Sequence, residues 1–352
     1  MKTFGVCGHF GGNANFTDGQ TVKTKIVTKH LKEMFGSDNV SCLDTYQWKK
    51  HIIGLLFNAV KMSKQCDHVV LLLAYNGLKI FVPLFVLLSK IFKCKIHCLV
   101  LGAWLAEFLQ EQPQLFKNIK KIHGVYAETK ISEKQLKDLG LKNVYRIPNC
   151  KDLNILEEAS DRTFSEPYPV LTFSRVEKPK GIEEACEAIR YVNETAGRTV
   201  YTLDIYGAVQ PDYEEEFNKL KEEFPEYINY KGVIPYEGTE KVLKDYFAML
   251  FPTRYPTEGQ PGALLDCYAA GVPVIAVEWQ SSREFVDDGV TGIIIDFSLK
   301  DRILENTLMK VAEKPEILTD MRKNCLKEAE KYLASNVVKK FADLAMGEGV
   351  EL

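Results

Sequence analysis

Two basic side chains stand five residues apart in the segment LTFSRVEKPKGIEEACEAI, residues 171–189. The apolar start of this segment predicts a strand that ends near Ser174, and its Glu-rich end predicts a helix after Gly181. Arg175 and Lys180 would then lie at the carboxyl end of a strand, where open α/β sheets bind ligands. Two cations beside a helix start suit an anionic ligand such as a diphosphate. The alternative is a surface pair of cations that neutralises the acidic helix.

A second candidate site lies in FPTRYPTEGQPGALLDCYAAGVPVIA, residues 251–276. A buried strand is expected to end at Pro252, and Pro261 suits the first turn of the following helix. Glu258 precedes that helix and Asp266 follows eight residues later. Glycines in the loop allow close approach of a ligand, helix-start amides can bind phosphate oxygens, and the carboxylates can accept hydrogen bonds from sugar hydroxyls. Alternatively, Glu258 only complements the helix dipole, which is worth about 0.3–1 kcal/mol.

A glycine-rich loop, GHFGGNANFTDGQTVKT, follows the first predicted strand at residues 8–24. It lacks the GxGxxG spacing, and the nearest acidic residue at the end of the second strand is Asp44. We therefore expect no nicotinamide or flavin cofactor. The loop can instead contact phosphate or an acceptor.

No metal site is expected. Cys94, His97 and Cys98 are close together, but no second pair of ligands follows at metal spacing. The acidic pair Asp287-Asp288 precedes Gly289 and predicts a turn.

The elements that position these residues alternate between short β-rich runs and helical patterns, which predicts βα units and parallel sheets. A helix is expected over Gln20–Phe35 with its end at Gly36, and another over Ser335–Met346. The predicted strands are Thr3–Cys7, Val40–Asp44, His68–Leu73, Ile96–Leu101, Gly124–Ala127, Val144–Ile147, Val170–Phe173, Thr202–Tyr206, Ile228–Lys231, Met249–Phe251, Val272–Val277 and Ile293–Asp296.

A length of 352 residues favours two domains. The polar, proline-containing stretch Pro148–Pro169 is the best linker candidate. We predict an N-terminal Rossmann-like domain over residues 1–160 and a C-terminal one over 161–334. The C-terminal helix, about 335–352, can pack back on the first domain.

The charge is divided unevenly. Residues 1–150 hold 21 Lys and Arg against 10 Asp and Glu, a net charge of +11, and the remainder carries −14. The basic half suits an anionic partner such as a phospholipid surface or a phosphate-bearing acceptor, and stretches such as Trp48–Lys64 can lie on an anionic bilayer. A solvated basic face and an ordinary core-facing helix are the alternatives. The basic half lacks an interleaved aromatic–basic pattern, so nucleic-acid binding is not expected.

Location follows from weaker signals. Nine cysteines without a CxxC pair suggest reduced thiols and the cytoplasm. Residues 1–6 already resemble a strand, so no signal peptide is expected. The apolar segment Ile80–Leu88 is about half the ~20 residues that a spanning helix needs. The expected location is the cytoplasm, with contact at the inner face of the cell membrane left open.

Several of these segments together resemble the glycosyltransferases of family 4, a retaining group with the GT-B architecture, and the chain is similar to members from bacterial capsule and exopolysaccharide assembly. The resemblance covers nearly the whole chain and is densest from Thr172 to Phe297. It is carried by FSRVEKPKG, LDIYG, YKGVI, PTEGQPGALLDCYAAGVPVIA and DDGVTGIII, with GGNANFTDGQTVKTKIV and VYRIPN in the first half. It implies two Rossmann-like domains whose parallel sheets face each other across a cleft.

The resemblance also implies roles for matching residues. Arg175 and Lys180 would hold the donor diphosphate and stabilise the leaving nucleotide, and Glu258 would contact the donor sugar. Asp266 stands where the family usually has a Glu that contacts the ribose, so that contact is in doubt. The remaining donor-binding positions would be Gly12 and Gln20 in the first loop, Ile234 against the base, and Gly259, Gln260, Pro261 and Gly262 through their backbone.

One family feature has no clear match. Many members carry a His at the end of an N-domain strand, and here the comparable stretch is VLGAWLAEF. His97 is several residues early and is expected inside the strand. Gly102, Ala103 or Trp104 would line the cleft where the family has this His. Trp104 would either stack on a sugar or belong to the core.

The function implied is transfer of a sugar, with retention, from a nucleotide-sugar donor (a UDP-sugar favoured) to a glycan or lipid-linked saccharide in bacterial surface polysaccharide synthesis. Neither a cofactor nor a metal is expected. Two alternatives stay open. One is a sugar-nucleotide epimerase or hydrolase of the same fold, for which His9, Asp18 and Glu107 are the acid/base candidates. The other is a non-catalytic subunit that binds sugar nucleotides.

Overall fold

Short strands alternate with helices through the chain. The computed structural model describes residues 2–12, 19–235 and 237–347. The strands in this part are β1 (Phe4–Gly8), β2 (Val40–Asp44), β3 (His68–Leu72), β4 (Lys95–Leu99), β5 (Gly124–Ala127), β6 (Val144–Arg146), β7 (Tyr168–Phe173), β8 (Tyr201–Tyr206), β9 (Ile228–Gly232), β10 (Ala248–Phe251), β11 (Val274–Val277) and β12 (Gly292–Ile295).

Helices connect these strands. They are α1 (Gly19–Phe35), α2 (Ile52–Gln65), α3 (Tyr75–Phe92), α4 (Leu105–Glu111), α5 (Pro113–Ile119), α6 (Lys130–Asp138), α7 (Ile182–Ala196), α8 (Glu214–Glu222), α9 (Thr239–Leu243), α10 (Gly262–Ala269), α11 (Ile303–Glu313), α12 (Glu316–Thr319), α13 (Arg322–Glu330) and α14 (Ala334–Met346). Short 3-10 helices cover Ser37–Asn39, Trp48–Lys50, Glu157–Asp161, Lys178–Lys180, Ser282–Glu284 and Lys300–Arg302.

Two compact units result. Unit 1 comprises Met1–Asp152 with Tyr332–Leu352, and unit 2 comprises Leu153–Lys331. The first division therefore lies eight residues before the one drawn from the sequence, and the second lies three residues before residue 334. The part of Pro148–Pro169 after Asp152 belongs to unit 2, since Leu156 and Ala159 are buried and the Leu156 amide donates to the Ala269 carbonyl.

Unit 1 is built on a parallel sheet in the order β2-β1-β3-β4-β5-β6. Both faces of this sheet are covered, which explains why β1, β3 and β5 are buried along their whole length. Helices α2 and α3 pack on one face, while α1 and α14 pack against each other on the other. Phe341 of α14 contacts Tyr126 of β5 in that second core. The C-terminal helix thus belongs to unit 1.

Unit 2 repeats the architecture with a parallel sheet in the order β12-β11-β10-β7-β8-β9. A fully buried Arg322 donates hydrogen bonds to the carbonyls of Ala159 at 2.8 Å, Tyr246 at 3.0 Å and Lys244 at 3.1 Å. Burial lowers the pKa of this guanidinium to about 10. The cation therefore replaces its lost hydration with carbonyl oxygens and joins segments that are distant in sequence.

Helix α3 extends beyond the apolar segment 80–88 at both ends. By length and composition it is the one described helix that would be able to cross a membrane, and a third of it is buried within the protein. The core helices of globular proteins pass the same test. Its buried side chains, Leu78, Phe81, Val82, Phe85, Val86 and Leu88, are part of the unit 1 core.

The cysteines lie mostly in these cores. Eight of the nine are buried, Cys42 is exposed, and none of these nine described residues is in a disulfide. His97 lies within β4, as predicted, and is hydrogen-bonded to His68 and Tyr126. Among residues 2–12, 19–235 and 237–347, no group of three or more His, Cys, Asp and Glu side chains is arranged to hold a metal ion.

Candidate functional site

Lys180 and Glu258 form an ion pair in unit 2. The Nζ atom of Lys180 donates to Oε2 of Glu258, and the two side chains are only 7% and 11% exposed. The hydroxyl of Thr253 lies 3.3 Å from the same carboxylate oxygen. Two residues that the sequence singled out independently, 78 positions apart, are therefore direct partners.

Neighbouring strands bring the pair together. Lys180 follows β7 and Glu258 follows β10, and these two parallel strands are adjacent in the sheet. The loops are also tied through the backbone, because the Arg254 amide donates to the Pro179 carbonyl at 2.6 Å. The site therefore lies at the carboxyl ends of two adjacent strands, the position expected for a ligand in an open α/β sheet.

Gly181 makes this approach possible. It starts α7 with a φ of 76°, and a Cβ at this position would collide with the carbonyl of Pro252 at the end of β10. Only glycine accepts both the backbone conformation and the close contact. Gly181 thus fixes how closely the loop that carries Lys180 approaches the loop that carries Glu258.

Arg175 is placed more openly than Lys180. Its side chain is 47% exposed, and one of its Nη atoms lies 3.0 Å from Glu177. The aromatic ring of Tyr255 lies beside both cations, 5.4 Å from the Arg175 guanidinium and 4.4 Å from the Lys180 ammonium. Arg175 is therefore half-exposed, whereas Lys180 is buried and paired.

The loop before α10 is held from a third strand. After β11, the Nε1 of Trp279 donates to the Gly259 carbonyl at 3.2 Å, and the Ser281 hydroxyl lies 3.2 Å from the same oxygen. Gly259, Gln260 and Pro261 are buried, and Gly262 begins α10. The backbone next to Glu258 is therefore rigidly positioned.

Asp266 and Ile234, the other predicted side chains of unit 2, lie on other parts of the chain. Asp266 is buried one turn inside α10. Ile234 is buried in the loop after β9, and β9 is separated from β7 by β8. Of the predicted donor-binding side chains in this unit, Arg175, Lys180 and Glu258 form one cluster.

Gly12 and Gln20 belong to unit 1. The Gly12 amide donates to Asp44 at 2.9 Å, and the Phe10 amide donates to the other oxygen of that carboxylate at 2.9 Å. Gln20 lies in the first turn of α1 and donates from its side chain to the Leu72 carbonyl at 3.1 Å. Residues 13–18 of the glycine-rich loop, Asp18 among them, lie outside the described residues. Asp44 therefore organises the start of this loop.

The remaining unit 1 candidates have ordinary partners. His9 lies 2.6 Å from the Thr21 hydroxyl, and Glu107 is exposed on α4. Trp104 packs on Tyr75, with ring centroids 4.0 Å apart, and donates from Nε1 to the Leu101 carbonyl at 2.6 Å.

Sequence reasoning missed a buried ion pair at the end of β5. Lys23 lies 2.8 Å from Glu128, whose second oxygen accepts from the Gly102 amide at 2.8 Å. Both side chains are almost fully buried. A Glu directly after a predicted strand was the available signal for it.

Comparison with known proteins extends this description. The chain is 24% identical over 131 residues to the amylovoran biosynthesis glycosyltransferase AmsK of Erwinia amylovora, covering 36% of this chain and 32% of that protein. It is 24% identical over 225 residues to an uncharacterized 41.2 kDa protein in the cps region of Klebsiella pneumoniae, covering 63% of this chain and 54% of the relative. The chain thus spans about a third and about half of these relatives.

A solved structure shares the fold over the full length. HepE of Anabaena, crystallised with UDP and glucose, superposes with a TM-score of 0.74 at 13% identity, covering 99% of this chain and 100% of that one. The predicted fold class, GT-B with two Rossmann-like parallel sheets, is confirmed. The sequence model for glycosyl transferases group 1 matches residues 156–332, half of the chain. The chain belongs to the glycosyl transferases group 1 family.

Proposed function

We propose that this protein transfers a sugar, with retention of anomeric configuration, from a UDP-sugar to a glycan or lipid-linked saccharide in the synthesis of a bacterial surface polysaccharide. The observation that carries the proposal is the buried Lys180–Glu258 pair beside Arg175 at the carboxyl ends of β7 and β10. Relatives named for amylovoran biosynthesis and for a cps region support the polysaccharide context. HepE, crystallised with UDP and glucose, supports uridine as the base.

The chemistry follows from the charges. Breaking the anomeric bond leaves negative charge on the diphosphate and positive character on the sugar. Arg175 and Lys180 would stabilise the leaving diphosphate, together with the amides at the start of α10. These groups are already fixed, so the reaction would need little reorganisation around the developing charge.

Glu258 has two roles in this scheme. Its carboxylate pairs with Lys180 and holds it in position, and it would accept hydrogen bonds from hydroxyls of the donor sugar. Gly259, Gln260, Pro261 and Gly262 would contact sugar and phosphate through the backbone. Ile234 and Asp266 would lie against base and ribose, and Gly12 and Gln20 are proposed as further donor-binding residues.

The test is donor turnover. Purified protein is incubated with a panel of UDP-, GDP-, ADP- and dTDP-sugars, and free nucleotide is measured with and without saccharide acceptors. We expect release from one UDP-sugar that an acceptor accelerates and that Arg175→Ala and Glu258→Gln diminish. Release that no acceptor accelerates would favour a hydrolase or epimerase. Nucleotide binding without release, with or without acceptors, would favour the non-catalytic subunit that binds sugar nucleotides, and absence of both release and binding would refute the proposal.

Retention of the anomeric configuration can be tested separately. With an α-linked donor, proton NMR of the product should show an α-linkage. A β-linked product would refute the retaining mechanism while leaving transferase activity intact.

A further inference from the structure

Helix α2 carries an apolar stripe on its outer side. Ile53, Leu56, Phe57 and Val60 are 82%, 40%, 72% and 40% exposed. Their spacing of three and four residues places them along one face of the helix. Single exposed apolar residues are common on protein surfaces, whereas a continuous row of them marks an interaction surface.

The opposite face of α2 is already occupied. Leu55, Ala59 and Met62 are buried in the unit 1 core, where they meet residues of α3. The exposed stripe is therefore additional to the face that the fold requires. Burial of α2 in the core accounts for one side of the helix and leaves the other side unexplained.

Lysines surround the stripe. Lys49 and Lys50 precede α2, and Lys61 and Lys64 lie in its last turns, all four exposed. Lys64 follows Val60 by four residues and so continues the same face. Long lysine side chains beside an apolar stripe can bury their methylene groups and leave the ammonium at the lipid headgroups.

The surrounding sequence is almost free of acidic residues. Between Asp44 and Glu107 there are eight lysines, and Asp67 is the single carboxylate. Within this range α3 packs beside α2 and exposes Leu87 and Ile91, 58% and 61%, next to Lys90. Exposed apolar side chains combined with uncompensated positive charge match an anionic membrane surface better than a protein partner of mixed charge.

We propose that the α2 stripe (Ile53, Leu56, Phe57 and Val60) and the lysines at its ends dock unit 1 on an anionic lipid bilayer. Helix α2 lies in the plane of the interface, with Ile53 and Phe57 inserted among the acyl chains. The docking surface lies entirely within unit 1 and does not depend on the donor site, so lipid binding and nucleotide binding can fail separately.

The experiment is vesicle co-sedimentation of the full chain. Vesicles of pure phosphatidylcholine are compared with vesicles of equal parts phosphatidylcholine and phosphatidylglycerol, at low and at high salt. We expect binding to the anionic vesicles that salt weakens, because the lysine contribution is screened.

Two variants test the surface itself. Phe57→Ser should weaken the partition coefficient about tenfold, since it removes one inserted aromatic side chain. The double variant Lys61→Gln/Lys64→Gln should weaken it about 25-fold, at about fivefold per lysine. All of these side chains are exposed, so melting temperatures should not change.

Matched controls distinguish the effect of the α2 stripe from the general effect of removing an exposed Phe or two lysines. Phe297→Ser removes an exposed Phe from unit 2, and Lys134→Gln/Lys137→Gln removes two charges from α6, where both lysines are paired with carboxylates. Both controls should bind vesicles like the unchanged protein. The proposal is overturned if the unchanged protein stays in the supernatant with anionic vesicles at low salt, or if Phe57→Ser sediments equally well. Sedimentation velocity that shows a dimer dissolved by Phe57→Ser would also overturn it, because a second copy would then cover the stripe.

Discussion

Arg175, Lys180 and Glu258 were predictable as candidates because cations and a carboxylate stand at the ends of apolar runs. Their mutual geometry was not predictable, since the contact between Lys180 and Glu258 depends on β7 and β10 being adjacent. Tyr255 was missed for the same reason. Its position beside both cations exists only once both loops have met.

Arg175 and Lys180 should respond differently to substitution. Arg175 is half-exposed, so Arg175→Ala should leave the melting temperature unchanged while lowering turnover by about 10²–10³. Arg198→Ala is the matched control, since Arg198 is also exposed in unit 2 and paired with Glu166. Equal turnover in Arg175→Ala and the unchanged protein would remove Arg175 from the mechanism.

Lys180 should matter for stability as well. Lys180→Met leaves the buried Glu258 carboxylate without its cation, and we expect the free energy of unfolding to fall by about 3–5 kcal/mol. Lys180→Met/Glu258→Leu should recover much of that loss, because no unpaired charge remains. Urea unfolding measures the stability of both variants. If Lys180→Met is as stable as the unchanged protein, the ion pair contributes little to stability.

At the scale of elements, every predicted strand is present. Strands buried on both faces are apolar runs bounded by turn residues, and this signal is local. Their ends moved by one or two residues, as between Val272–Val277 and Val274–Val277, because ladder pairing decides where a strand starts. The stretch Pro148–Pro169, proposed as a linker, contains two buried residues, Leu156 and Ala159, which give no periodic signal in so short a stretch.

A histidine cluster across β3, β4 and β5 predicts acid sensitivity. His68 lies 3.1 Å from His97, which lies 3.1 Å from the Tyr126 hydroxyl. Burial, helped by Lys95 and Lys2 and opposed by Asp67, lowers the pKa of His68 to about 4. The unfolded chain then binds protons more tightly than the folded one, so stability present above about pH 6.5 is lost as the pH falls toward 4.

Because of His68, we expect the free energy of unfolding to fall by about 2 kcal/mol between about pH 7.5 and about pH 5. Urea unfolding at both pH values measures it, and His68→Gln should show a smaller difference between them. His51→Gln, at an exposed position, should keep the full difference. An unchanged pH dependence in His68→Gln would exclude this histidine as the cause.

At the scale of the whole molecule, the sequence predicted two Rossmann-like domains, and it left open where the last helix packs. That helix lies in unit 1 because Val337, Val338 and Phe341 complete the core beside α1. An amphipathic pattern shows that a helix has a buried face and does not identify what covers it. That the chain returns to unit 1 after Lys331 could therefore be seen only in the structure.

If side chains stabilise the leaving group, donor turnover should not need a metal ion. If Arg175 and Lys180 supply the positive charge, donor turnover should persist in excess EDTA and should not rise with added Mg²⁺ or Mn²⁺. Turnover that EDTA abolishes and Mg²⁺ restores would assign the charge stabilisation to a metal ion.

The affinity for UDP tests the proposed diphosphate site most directly. It is measured by titration calorimetry on the unchanged protein, on Arg175→Ala and on the control Arg198→Ala. If Arg175 and Lys180 form the diphosphate site, UDP binds the unchanged protein and Arg198→Ala equally well. Arg175→Ala should bind at least about tenfold more weakly, as expected for one lost charge-assisted hydrogen bond. Equal binding by all three proteins would contradict the account, because the diphosphate would then lie elsewhere.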